Sequence, residues 1–214
     1  DLTAVASQLR RAFDNEFQGR WLSPLQVIRN GIDSSDLDVQ QKVSLLTLGL
    51  QELPQVVSLQ LAIEGSKLPI LAPSLEFAER LEHAGADPVE TLSVQPEQLA
   101  EMQQRSAFAT PHISQLAATG DWIATIAFPL ETRIANRNVI FAAKIDLRSM
   151  TELVASHPFG ARGEISVIDR DGMTVLTPQP ASLTLNLSWR RSVMADPHSS
   201  RVCRSLRLLT GNPM

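Results

Sequence analysis

Two stretches near the middle of the chain restrict its fold more than any other feature. Trp122 to Leu130 carries Ile123, Ile126 and Phe128, and Val139 to Ile145 carries Val139, Ile140, Phe141 and Ile145. Both are short and apolar on both sides, with a polar loop from Glu131 to Asn138 between them. Antiparallel strands of that kind belong at the centre of a sheet covered on both faces. The rest of the chain must then supply edge strands and helical covers, so the expected class is α+β.

The first cover is a long helix. Leu2, Val5, Leu9, Phe13, Phe17 and Trp21 recur at spacings of three and four, one apolar stripe on an otherwise polar helix. Pro24 is expected to kink it or to divide it into two ordinary helices, while Leu25 and Ile28 keep the phase to Asn30-Gly31. Ser35 and Asp38 have capping-box spacing ahead of a second helix, Leu37 to Leu53, which ends before Pro54. The period then changes to two: Val57, Leu59, Leu61 and Ile63 form a strand, Glu64 to Lys67 a turn, and Leu68 to Ala72 a return strand. A helix over Leu75 to Ala84, a loop over Gly85 to Gln95 and a helix from Pro96 follow. Thr110 to Leu116 adds a third strand ahead of the central pair, joined by a turn at Thr119-Gly120-Asp121, and Asp146 caps an exit helix from Leu147 to Ala155. At His157-Pro158-Phe159-Gly160 the pattern breaks. A second hairpin follows, Glu164 to Asp169 and Met173 to Thr177 around Arg170-Asp171-Gly172, and after Pro178 only a weak helix-then-strand pattern remains. The expected division is residues 1–32, the long helix; 33–155, a first module; and 156–214, a small or partial second module, with the junction at 156–163.

Charge and motif content narrow the function. Nineteen basic against 23 acidic residues give a net charge of −4 with no basic stripe, so no nucleic-acid footprint is expected. Cys203 stands alone, which leaves no internal disulfide and no cysteine-built zinc site. His83, His112, His157 and His198 lie far apart without metal-binding spacing. A Gly-x-Ser-x-Gly elbow, a Gly-x-x-x-x-Gly-Lys loop and a Gly-x-Gly-x-x-Gly after a strand are missing. The pairs Asp36/Asp38 and Asp169/Asp171 belong to caps and turns. No catalytic residue, metal or cofactor is therefore expected. No apolar run reaches the ~18 residues of a membrane span. The start, Asp1-Leu2-Thr3, has neither an initiator Met nor a leader pattern, so the chain reads as a piece of a longer protein.

The order of these elements resembles the PAS-like fold of Cache sensor domains over roughly residues 1–180. Gly163 to Pro178, with the pattern Gly-x-Ile-x-Val-Ile-Asp-x-Asp-Gly, looks like the hairpin that opens the second module of a double Cache; Val139 to Leu147 is similar to the last strand and exit of the first. The resemblance implies a membrane-distal first module and a membrane-proximal second one. It further implies the periplasmic or extracellular sensor region of a bacterial inner-membrane signalling protein, held by flanking helices absent from this chain. The output would be of histidine kinase, nucleotide cyclase or chemoreceptor type. The amino-acid-binding branch of the family has a Trp-Tyr-type motif and an aspartate for the ligand's amino group. This chain has no tyrosine, and Lys144 aligns with that aspartate.

Alternation on Val139 to Ile145 separates the apolar Val139, Phe141, Ala143 and Ile145 from Ile140, Ala142 and Lys144. The first set should face the N-terminal helices, which turns Lys144 toward the helical insertion. A buried lysine needs a partner. Asp121 or Glu131 is one solution; the other is a carboxylate or similar anionic ligand, with Trp122, Thr125, His112 and Arg105 completing its site. The apolar surplus of the first helix suggests a homodimer. The reading from another class is a PAS-like dimerisation or interaction module with a filled core and no ligand, from which a cavity between sheet and insertion would distinguish the sensor.

Overall fold

The computed structural model describes residues 8, 11–12, 14–66, 68–104, 111–156, 164–168, 174–176 and 207–211. They belong to two compact units, residues 18–147 and residues 1–17 with 148–214.

A π-helical segment, Glu16–Leu22, leads into α1 (Ser23–Ile32). Pro24 has no N–H for the carbonyl one turn back, and its ring crowds that carbonyl. The widened turns before it absorb the mismatch, with Ser23 Oγ donating to Gln18 O at 2.8 Å, so the helix runs through Pro24 without a break. It also runs past Asn30-Gly31 to Ile32, which is fully buried. Helix α2 (Val39–Glu52) starts at Asp38 rather than Ser35. The Asp38 carboxylate accepts from Gln41 N at 2.8 Å, and Gln41 Oε1 accepts from Asp38 N at 2.9 Å. The two helices approach closely at Gly49, where a Cβ would stand 2.6 Å from Ile28 Cδ1. Buried Lys42 closes their connection by donating Nζ to Ile32 O and, at 2.8 Å, to Ser34 O.

The five strands of this unit are β1 (Val56–Ile63), β2 (Ile70–Pro73), β3 (His112–Gln115), β4 (Trp122–Pro129) and β5 (Val139–Asp146). They form one antiparallel sheet of order β2-β1-β5-β4-β3, which places both doubly apolar segments inside it. Helix α2 packs on β1 and β2. The face toward α1 and α2 carries Leu59, Leu61, Ile126, Phe128, Phe141 and Ile145, with the rings of Phe128 and Phe141 stacked 6.1 Å apart. The opposite face is covered by α3 (Leu75–His83), α4 (Pro88–Leu92) and α5 (Pro96–Gln104). There Phe77, Leu81 and Leu92 pack with Val57 and Ile123, while Val94, Leu99 and Met102 pack on Ala127 and Ala142. Helix α4 lies inside the stretch expected to be a loop. Five residues give no readable apolar period, yet Asp87 caps it by accepting from Val89 N at 2.7 Å, and Pro88 fits its first position.

In the other unit, α6 (Arg148–Ser156) is followed by β6 (Glu164–Ile168), β7 (Thr174–Leu176) and β8 (Arg207–Gly211), an antiparallel sheet of order β7-β6-β8. The expected hairpin is β6–β7, and its third strand comes from the C-terminal stretch. The junction expected at 156–163 lies, apart from Ser156, outside the described residues.

Asp33, just after α1, fixes the loop that joins β4 and β5. Its carboxylate accepts from Glu131 N and Thr132 N at 2.8 Å and from Thr132 Oγ1 at 3.0 Å, and pairs with Arg29 at 3.1 Å. Burial pushes this carboxyl up, but the Thr132 and Glu131 N–H groups, the Thr132 hydroxyl and the Arg29 charge outweigh it and hold it below its ordinary 3.8. A depressed carboxyl contributes stability that is complete above its unfolded value and is lost as pH falls through the folded one. Asp33→Ala should therefore cost about 1–3 kcal/mol in urea unfolding at pH 7. The gap to wild type should shrink once pH falls below 3.8.

Candidate functional site

The cross-strand register sets four polar side chains in one row on the face toward α3–α5. His112 on β3 stands opposite Thr125 on β4, Thr125 opposite Lys144 on β5, and Lys144 opposite Ser58 on β1. Three of the five site residues expected from sequence thus share a row. His112, on the edge strand, is exposed, while Thr125 and Lys144 are buried. Trp122 does not join them: it precedes Thr125 by three residues on one strand, and an odd separation puts it on the other face. Arg105 lies outside the described residues.

Lys144 is 7% exposed, and Nζ donates to Thr91 O at 2.8 Å and Ser93 O at 3.1 Å. These carbonyls belong to the end of α4, where a helix has no acceptors' partners of its own. Neither expected partner is used. Asp121 binds Arg80 at 2.6 Å, and that guanidinium rests 4.8 Å above the Phe77 ring; the Glu131 N–H goes to Asp33. Two more sheet residues hold the same segment. Ser58 Oγ donates to Leu92 O at 3.4 Å, and Gln60 Oε1 accepts from Val94 N at 3.0 Å. Ser58, Gln60 and Lys144 together fasten residues 91–94 to the sheet. Burial lowers the Lys144 ammonium from 10.5 to about 8. Gln60 Nε2 and Thr125 Oγ1 are buried without a hydrogen-bond partner among the described residues.

Beyond that seam, toward the β1–β2 turn, the insertion stands away from the sheet and leaves a cleft of about 640 Å3. Ala62 and Ile140 from the sheet, Glu64 and Leu68 from the turn region, and Asp87, Glu90, Val94 and Leu99 from the insertion line it. Ser93 also lines it, so Lys144 stands behind one wall; Lys144, Thr125, Trp122 and His112 are not in the lining. A cavity between sheet and insertion is what distinguishes the sensor reading, but none of the described site residues read from the sequence lines this one. Glu64 looked like a turn residue, and Asp87 and Glu90 like loop charges. Nothing in a linear pattern brings residue 64 near residue 90. No group of three or more His, Cys, Asp or Glu side chains among the described residues is placed to hold a metal ion.

No family model matches the chain, and no curated protein matches it. Solved structures do. The ligand-binding domain of the amino-acid chemoreceptor PctC of Pseudomonas aeruginosa, in complex with GABA, is 15% identical with a TM-score of 0.61, covering 83% of this chain and 74% of that one. The periplasmic sensory domain of the Campylobacter jejuni chemoreceptor Tlp1 is 12% identical with a TM-score of 0.56, covering 83% and 71%. The extracellular domain of the histidine-kinase candidate rpHK1S-Z16 is 17% identical with a TM-score of 0.54, covering 83% and 69%. The chain has the fold of these sensor domains, the PAS-like Cache fold that its element order resembled.

A lysine whose folded pKa is depressed makes the folded state bind fewer protons than the unfolded one, so stability rises with pH between the two values. For Lys144 the window runs from about 8 to 10.5. Wild type should gain up to about 3 kcal/mol across it relative to Lys144→Met. Urea titrations of both proteins from pH 7 to 10.5 check this; parallel curves would contradict it.

Proposed function

We propose that the chain is the extracytoplasmic small-molecule sensor region of a bacterial transmembrane signalling protein of chemoreceptor, histidine kinase or cyclase type. The cleft carries this reading. It is large enough for a small ligand and lies between sheet and insertion, where an interaction module with a filled core would be packed. The fold neighbours support it: PctC holds GABA, and the ligand-binding domain of Mlp24 holds asparagine. No helix among the described residues is long and apolar enough to cross a membrane. The anchors would be flanking helices, with residues 33–155 the membrane-distal module and 156–214 the membrane-proximal one. Ligand binding between the β1–β2 turn and α4–α5 favours one placement of the insertion over another, a population shift passed to the long N-terminal helix. That helix pairs with its copy in a homodimer.

One observation favours an anionic ligand deeper in the fold. Thr125 Oγ1 has no partner among the described residues and lies beside Lys144, so two donors could meet a carboxylate there.

A thermal-shift panel of amino acids, amines and carboxylates tests both readings. At least one compound should raise the Tm of wild type but not of Ala62→Phe, which fills the cleft while the circular dichroism spectrum is kept. A carboxylate that stabilises wild type and Ala62→Phe but not Lys144→Met would favour the deeper site. No shift from any compound would remove the sensor reading. Light scattering at high concentration should show a dimer.

A further inference from the structure

Seven consecutive residues, Glu16–Leu22, wind as π-helix ahead of α1. Such turns usually come singly inside α-helices, and often at functional positions. Burial shows what the wider turns accomplish. Phe17 is half-buried, Trp21 is 2% exposed and Leu25 is fully buried, each four residues from the next. An α-helix turns about 400° over four residues, so in that form Leu25 would lie about 80° round the axis from Phe17. At about 4.4 residues per turn up to Leu22, the three return to within about 10° of one line. The apolar stripe before the segment and the stripe after it are therefore in phase only while the turns stay wide.

One end of the segment is tied to the sheet and to α2. Trp21 Nε1 donates to Gln55 Oε1 at 3.3 Å, Leu25 is buried and Ile28 lies against Gly49, so α1 has one placement. The outer side of the segment is different. Gln18, Gly19 and Arg20 are exposed, and a Cβ on Gly19 would meet nothing within 4 Å, which leaves room to rewind. What keeps the turns wide is local. Pro24 has no N–H for the Arg20 carbonyl, and in an α-helix its ring would crowd that oxygen. Ser23 Oγ donates to Gln18 O, five residues back, at 2.8 Å.

We propose that Glu16–Leu22 is a register switch that exchanges between this π form and an α form, with Pro24 setting the balance. Each residue advances about 18° more in an α-helix, so over seven residues the helix before Glu16 turns by roughly a third of a turn while α1 stays in place. The exchange is a property of the helix itself. Its use as the element that transmits ligand binding rests on the sensor reading, a ligand acting by favouring one register over the other.

Spin labels at Asn15 and Gln26, both exposed, test it on the 214-residue chain carrying Cys203→Ser. The labelled positions lie about 105° apart round the axis in the π form and about 20° apart in an α-helix, so the switch shortens the label distance by about 3 Å. Wild type should show mainly the longer distance. Pro24→Ala, which restores the N–H and removes the crowding, should raise the share of the shorter one relative to the longer by at least about tenfold. Deleting Gly19 in the Pro24→Ala background takes out about 100° of α-helical turn and should bring the longer distance back, with the circular dichroism spectrum kept. An unchanged distance in Pro24→Ala, or a shorter one that the deletion fails to lengthen, overturns the proposal. If the labels move as expected while no compound of the thermal-shift panel binds, the switch stands and the sensor reading falls. If a compound loses its thermal shift in Ala62→Phe while every variant keeps one label distance, the sensor reading stands and the switch falls.

Discussion

The hydrogen bonds from Lys144 to the end of α4 fix where the middle of the insertion meets the sheet. Helix α4 has five residues, too few to offset the cost of nucleating a helix in isolation. Its last carbonyls face a sheet surface built mainly of Ile123, Ala127 and Ala142, where an unpaired carbonyl is expensive. The sheet answers with donors of its own, Ser58 and Lys144, and with the acceptor Gln60, so three strand residues hold four consecutive backbone positions. Moving α4 would leave an ammonium buried without partners, an error costing far more than one hydrogen bond. The wall containing Ser93, and α5 after it, take their places from that constraint.

Lysine suits the task because its long stem can lie along apolar surface while the head reaches a carbonyl. Lys42 uses the same chemistry between the N-terminal helices, reaching the carbonyls of Ile32 and Ser34 where α1 turns toward α2. In both places a buried cation meets uncharged backbone acceptors rather than a carboxylate. The opposite end of the insertion uses another arrangement, Arg80 stacked on Phe77 and paired with Asp121. Arginine fits there because a planar guanidinium can lie on a ring and meet a carboxylate at its edge.

The central strands were legible because burial on both faces leaves few polar residues, Thr125 and Lys144 among them, to blur the signal, and parity alone turned Lys144 toward the insertion. The same parity argument, applied to β4, separates Trp122 from Thr125, so that pairing was an avoidable error. Other misses have physical causes. Ser35 and Asp38 satisfy cap spacing on paper, but Asp38 with Gln41 satisfies it as well and sits directly before the first helical residue. Helix α4 is fixed by a cap and by contacts made across the sheet, neither of which leaves a period in five residues. The partner of Lys144 was out of reach for the same reason, because every backbone carbonyl looks alike in sequence. The cleft is a gap between elements, and its carboxylates come from residues 64, 87 and 90.

The tether and the cleft share a wall, so a change at one bears on the other. A ligand changes an equilibrium only by the difference between its affinities for two states. One state is already defined: residues 91–94 held to Ser58, Gln60 and Lys144. A ligand that touches Ser93 and Val94 in the cleft would meet the segment that the seam holds, so its binding energy adds to or works against the seam. Burial lowers the Lys144 pKa to about 8, so the charged head is held there against a desolvation cost. To shift the seam, a ligand must therefore supply a difference in affinity comparable to the cost of releasing it. Apolar packing of Leu92 on Ile123, and of Val94, Leu99 and Met102 on Ala127 and Ala142, holds the same segment beside those hydrogen bonds. The polar row on the sheet therefore fixes the wall of the cleft by a few directional hydrogen bonds, which apolar packing alone would not orient.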